Sequence, residues 1–119
     1  MAKPYVDFPG NGMHVHVSML NDNEENIFKG SPVLSTKLKS AVGGLVSTMR
    51  ELQAIYAPNL NSYRRFRSNS FAPSFPDWSI DNRNASIRLP DLIDDAARIE
   101  HRISGADVNP NLAISGILG

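Results

Sequence analysis

The chain has 119 residues, 41% of them hydrophobic and 20% charged, the length and mix of one soluble globular domain with a single core. Twelve Lys plus Arg balance twelve Asp plus Glu, which argues against nucleic-acid partners, since those need a surplus of positive charge. Cysteine is absent, which excludes disulfides and thiolate metal sites and is compatible with a cytoplasmic protein; no apolar run approaches the roughly 20 residues of a membrane span, so no membrane partner is expected.

The first residues, Met1-Ala2-Lys3-Pro4-Tyr5, lack the apolar stretch of a secretory signal. Residues 12–20 alternate, with Met13, Val15 and Val17 on one side and His14, His16 and Ser18 on the other, the period of a half-buried strand. Asn21 to Asn26 form a polar turn, and Ile27-Phe28 begin a short return element ended by Gly30-Ser31-Pro32. Leu38, Val42, Leu45, Met49, Leu52 and Ile55 recur every three or four residues and predict one helix, capped by Ser35 or Ser31 and stopped by Pro58. Gly43-Gly44 weaken its middle by about 1–2 kcal/mol relative to alanine, which suggests close packing against another element.

Residues 57–80 read as a long loop rich in Pro, Asn, Arg and aromatic residues, and such loops tend to be functional. Ala85 to Leu89 read as a strand closed by Pro90, Asp91 to Asp95 as an acidic turn, and Arg98 to Ile103 as a second alternating strand. Asp107-Val108-Asn109-Pro110 lead into an apolar helix that stops abruptly at Gly119. An uncapped apolar end suggests a piece cut from a longer domain.

The two alternating strands carry the chemistry. His14, His16 and Ser18 project together from the first, and Arg98, Glu100 and Arg102 from the second. If both lie in one sheet, its polar face offers imidazole, carboxylate and guanidinium in a small area. Imidazole and carboxylate suit Mg²⁺ or Mn²⁺, and guanidinium groups bind phosphate oxygens and offset charge on a transferring phosphoryl group. Seven arginines fall between residues 64 and 102, interleaved with acidic residues. That pattern fits a small anionic ligand better than a nucleic acid. A solvated, ion-paired sheet face is the plain alternative. No GxGxxG or GxxxxGK[ST] phosphate loop occurs, so any use of ATP relies on another architecture.

Taken together, five stretches resemble the glutamine synthetase family, in matching order and approximate spacing over nearly the whole chain. They are Gly10-Asn11-Gly12-Met13-His14-Val15-His16, Asn61-Ser62-Tyr63-Arg64-Arg65, Asn82-Arg83 through Arg88-Leu89-Pro90, Arg98-Ile99-Glu100-His101-Arg102, and Asn109-Pro110. The resemblance implies an α+β fragment of the family's catalytic domain, with an antiparallel sheet whose polar face forms half of a cleft. It implies a reaction in which ATP phosphorylates the γ-carboxylate of glutamate and an amine displaces the phosphate. By motif position, His14 and Glu100 are implied as metal ligands, and Gly10, His14, Arg65 and Arg102 as contacts to glutamate. His16, Ser18, Arg88 and Arg98 are implied on the nucleotide side. Arg83, Arg88 and Arg102 are implied as the catalytic arginines that hold ATP phosphates or the γ-glutamyl phosphate. The parent is expected to be a large homo-oligomer whose sites are shared between subunits, using glutamate, ATP and ammonia or an amine.

Three positions depart from the family pattern: Pro9 stands for an asparagine, Asp95 for a lysine, and Phe71 for the glutamate that binds and deprotonates ammonium. An apolar ring does neither, so an alkylamine or polyamine acceptor is expected in place of ammonia. A glutamine synthetase proper and a non-catalytic structural or sensor relative are the alternatives, followed by a free-standing anion- or metal-binding module. The family's other metal carboxylates and N-terminal domain are not among these 119 residues. The isolated chain is therefore expected to release no phosphate from ATP in the presence of glutamate, and a glutamate-dependent release by purified chain alone contradicts this.

Overall fold

The computed structural model describes residues 1–30, 33–67 and 70–119. Its strands are β1 (Val15–Val17), β2 (Trp78–Ile80), β3 (Ile87–Asp91) and β4 (Arg98–His101). They form one sheet in the order β1-β4-β3-β2. Both β1 and β3 pair antiparallel with β4, so that His16, Glu100 and Arg88 lie in one row across three strands. Strand β2 runs parallel to β3, with Ser79 opposite Arg88.

The α+β class is as expected, but the sheet is mixed and not antiparallel throughout. The parallel strand emerges from residues 57–80, where three strand residues are too few to display an alternation. Such a strand is about 10 Å long, so the short connection over residues 81–86 suffices to return the chain. Strand β1 is also shorter than the alternation suggested. Single bridges continue it, Gly12 to Gly105 and Leu20 to Asn26. Nor does Pro90 close β3. It lies inside the strand, where β3 has one more residue than β4 between Arg88 and Asp91. A bulge accepts a residue that has no N–H to donate.

Alternation sends Ile87, Leu89 and Ile99 to one face, where they meet Phe28, Leu38, Val42, Met49, Tyr56 and Ile117 in the core. Helix α1 (Thr36–Thr48) supplies Leu38 and Val42. Ser35 is its cap: the Oγ accepts from the Leu38 amide at 3.2 Å and donates to the Ile27 carbonyl at 3.0 Å. The alternative cap, Ser31, lies outside the described residues, as does Pro32.

The single helix expected to run to Ile55 is divided. Beyond α1 the chain turns before α2 (Gln53–Tyr56). The hydroxyls of Ser47 and Thr48 both donate to the Gly44 carbonyl, at 2.8 and 3.0 Å, and such back-bonding bends helices. The break lets Tyr56 bury its ring against His101, with centroids 4.6 Å apart. The Gly43-Gly44 pair does not mark close packing: a Cβ at either position meets nothing within 4 Å, because both residues face outward. Helix α3 (Pro110–Leu118) forms as expected, with Asn109 accepting from the amides of Asn111 and Leu112 and Pro110 in its first turn. Among the described residues, no helix is long and apolar enough to cross a membrane.

Replacing Ser35 by alanine removes a cap that also ties α1 to Ile27. It should cost about 1 kcal/mol in urea denaturation, and an unchanged midpoint shows that the cap is not needed.

Candidate active site

The sheet's second face is polar, and Glu100 is its centre. This residue is 3% exposed. Its Oε1 accepts from Arg102 Nη1 at 2.8 Å and lies 3.0 Å from His14 Nδ1, while Oε2 accepts from Arg88 Nη1 at 2.8 Å. His16 Nε2 stands farther off, at 3.9 Å. Arg88 turns its other nitrogens to Asp81, and Arg102 Nη2 donates to the Arg83 carbonyl at 2.7 Å. Arg98 Nε donates to His16 Nδ1 at 3.3 Å. Burial pushes the Glu100 carboxyl up, but the Arg88 hydrogen bond and the Arg102 charge outweigh it, leaving the group below its ordinary value and ionised. His14 moves down from its usual value, first through burial and then through the Arg102 charge, which together exceed the pull of Glu100. It is therefore neutral near pH 7, the form that carries a lone pair for a metal.

Among the described residues, no group of three or more His, Cys, Asp or Glu side chains stands ready to hold a metal ion. The pair His14 Nδ1 and Glu100 Oε1, 3.0 Å apart, nevertheless matches two neighbouring positions on an octahedral ion with bonds of about 2.1 Å. It fits part of a metal's shell, with the remaining donors coming from elsewhere.

Beside this cluster lies a cavity of about 470 Å³, lined by Lys3, Gly10, His14, Arg65, Phe71 and Arg102, among others. Arg65 ends a short 3-10 turn, Ser62–Arg65, inside the expected long loop. It is 4% exposed, and its Nη1 donates to the Ile103 carbonyl at 2.8 Å. At Gly10 any side chain would strike the Ala2 carbonyl, 2.8 Å from an added Cβ, so glycine is needed to shape this wall.

Of the residues expected at the site, His14, His16, Arg88, Arg98, Glu100 and Arg102 form one connected cluster, while Gly10 and Arg65 line the adjoining cavity together with His14 and Arg102. Ser18 is exposed past the end of β1, and Arg83 is exposed and joins only through its backbone carbonyl. Of the three departures from the family pattern, Phe71 and Pro9 line the cavity, whereas Asp95 contributes its backbone carbonyl to Asn26. Sequence reading missed Asp81 as the second partner of Arg88. Its left-handed backbone (φ 46°) in the Asp81-Asn82 turn is the only local signal, since Asp tolerates that conformation better than most residues. It also missed His101, fully buried beneath Glu100 on the apolar face, where burial and then the nearby His14 push its pKa down to about 4.

The family of the glutamine synthetase catalytic domain matches residues 1–119. The chain belongs to that family. It is 39% identical over 118 residues to gamma-glutamylputrescine synthetase of Escherichia coli (strain K12), covering 98% of this chain and 25% of that protein. Identity to glutamine synthetase of Thermococcus kodakarensis is 42% over 118 residues, 99% of this chain and 26% of the relative. Identity to a glutamate–isopropylamine ligase of a Pseudomonas species is 39% over 121 residues, 99% of this chain and 26% of the relative. The chain thus spans about a quarter of the length of the curated relatives it matches.

Replacing Glu100 by glutamine leaves Arg88 and Arg102 without their shared anion. The cost should be about 3 kcal/mol at pH 7, read by denaturant titration. Because the native carboxyl titrates below its unfolded value, its contribution is complete above about pH 4.3 and is lost as pH falls through the native value. The gap between wild type and Glu100→Gln should therefore close in acid, and a gap equally wide at pH 3 contradicts this origin.

Proposed function

We propose that this chain is part of an ATP-dependent ligase that joins the γ-carboxylate of glutamate to an alkylamine or polyamine through γ-glutamyl phosphate. The observation that carries this reading is the buried Glu100 cluster: one carboxylate held between two guanidinium groups and an imidazole, at the motif positions of a ligase family. A structural sheet face does not require two arginines aimed at one buried anion beside an open cavity.

In this reading, Arg88 and Arg102 reach the γ-phosphate of ATP from the rim of the cluster, with Arg83 exposed beside them. Their charge offsets that of the phosphoryl group as it passes to glutamate. Gly10, His14, Arg65 and Arg102 surround the glutamate, with Arg65 as its fixed cation. Arg98, His16 and Ser18 lie on the nucleotide side. His14 and Glu100 would hold part of the shell of an Mg²⁺ or Mn²⁺ ion, which would supply Lewis-acid charge at the transferring group. The intact protein is a large homo-oligomer in this account. Exposed apolar side chains such as Val6, Leu20, Leu112 and Leu118 agree with faces that are covered in a larger assembly.

Phe71 sets the acceptor. It lies in the cavity wall with Arg65 and Gly10 and is 83% exposed, so it can pack on an alkyl group but offers no carboxylate to pair with ammonium or take its proton. Relatives named for ligation of putrescine and of isopropylamine stand beside glutamine synthetases among the similar proteins, at comparable identity.

An amine panel on the full-length enzyme should give a kcat/KM for an alkylamine or polyamine well above that for ammonia. Phe71→Glu should lower the alkylamine value about tenfold, the size of a lost apolar contact. Ammonia used at least as efficiently as every amine by the wild type overturns the acceptor assignment.

A further inference from the structure

Arg65 is held in a charged setting that the reaction residues do not explain. Gly12 and Gly105 pair across an isolated antiparallel bridge and leave the space that its guanidinium fills. A Cβ at Gly12 would lie 2.9 Å from Arg65 Nη2. A Cβ at Gly105 would lie 3.5 Å from Arg65 Nη1 and 2.6 Å from Asp107 Oδ1. The guanidinium and the Asp107 carboxylate therefore converge on the same glycine, with no room for a side chain between them.

Asp107 is fixed from the other side. Its Oδ2 accepts from Ser62 Oγ at 2.8 Å and from Asn59 Nδ2 at 3.2 Å. Ser62 opens the short turn that Arg65 ends, so one carboxylate grips the start of the turn and faces the cation at its end. Asp107 Oδ1 is buried beside the backbone amides of Ala2 and of Asp107 itself, without a well-aligned hydrogen bond among the described residues. Burial raises the Asp107 carboxyl, but hydrogen bonds, first from Ser62, then from Asn59 and from the backbone amides of Asp107 and Ala2, bring it below its ordinary value, so it is ionised. Burial also disfavours the charge of Arg65, and the negative charge of Asp107 opposes that loss.

We infer that Asp107 is a positioning residue for the substrate carboxylate: it holds the Arg65 guanidinium aimed into the cavity without itself touching glutamate. This inference rests on the proposed contact between Arg65 and glutamate. The carboxylate, fixed by Ser62 and facing the guanidinium across Gly105, then acts as the counterweight that orients Arg65 before the substrate arrives. Free of a direct ion pair, Arg65 keeps donors available for the ligand.

Steady-state kinetics of the full-length enzyme test this, with glutamate and ATP varied in turn for Arg65→Lys, Asp107→Asn, Asp107→Glu and Ser62→Ala. Asp107→Asn should raise KM for glutamate about tenfold while kcat and KM for ATP stay within about twofold. Asp107→Glu, which keeps the charge, should recover part of the loss, and Arg65→Lys should raise the glutamate KM at least as much as Asp107→Asn. An unchanged glutamate KM in Asp107→Asn, beside a raised one in Arg65→Lys, overturns the positioning role and leaves the Arg65 contact standing. No effect of Arg65→Lys on glutamate KM removes the contact itself, and the positioning role with it. A rise for both substrates with a lowered Tm assigns Asp107 a purely structural role. If Asp107→Asn does not fold, Ser62→Ala decides: a glutamate KM raised about threefold supports the inference, and an unchanged one refutes it.

Discussion

The negative charge of Glu100 governs the arrangement of the sheet's polar face. A carboxylate this deeply buried is tolerated only when opposite charges and hydrogen bonds replace the water it has lost. The replacements come from three places in the chain: His14 just before β1, Arg88 on β3, and Arg102 just beyond β4. Each tie is between strands or across a strand end, so the ion cluster also fixes how the strands register. A slip of one residue in β4 would send Glu100 into the apolar core and Ile99 to the polar side. Charge pairing on one face and apolar packing on the other therefore select the same alignment.

That alignment leaves the sheet covered on one side only. The core helices take the face of Ile87, Leu89 and Ile99, and the opposite face keeps its His, Glu and Arg side chains, of which His14 and Arg102 line a cavity. The bulge at Pro90 belongs to the same economy of space. It lets β3 carry Arg88 toward Glu100 and still bring Asp91 opposite Arg98. Loops supply what strands cannot. The turn at Ser62–Arg65 brings a guanidinium into a pocket floored by Gly12 and Gly105, and the following segment presents Phe71 on the cavity wall. Positions on rigid strands set the charge, and positions on loops shape the room for substrate.

Much of this was legible in the sequence, for physical reasons. Strict alternation around His14 and Glu100 exposed two strands and their shared polar face, because period two admits no other reading over that length. Pairing of these strands was a supposition that the His16–Glu100 register satisfies. Other features were hidden. Strand β2 is too short to show a period, and Pro90 looked like a terminator because a bulge leaves no local mark. The apolar stripe from Leu38 to Ile55 continued past the helix break, because Ser47 and Thr48 act through a carbonyl that sequence periodicity does not register. Asp107 looked like no more than the lead-in to the last helix, since its bond to Ser62 spans 45 residues. Long-range polar contacts of that kind have no sequence period.

Within the family, the cluster carries the proposed ligase chemistry, while Phe71 carries the proposed choice of amine. Both depend on the polar face holding a metal beside phosphate, with the His14 imidazole as one ligand. Electron spin-echo spectroscopy of the Mn²⁺-loaded full-length enzyme reads this directly through the nitrogen coupling of a bound imidazole. A coupling present in the wild type and absent in His14→Ala is the predicted result. A spectrum without imidazole nitrogen, or one unchanged by His14→Ala, contradicts the assignment of this face as the metal and phosphate site.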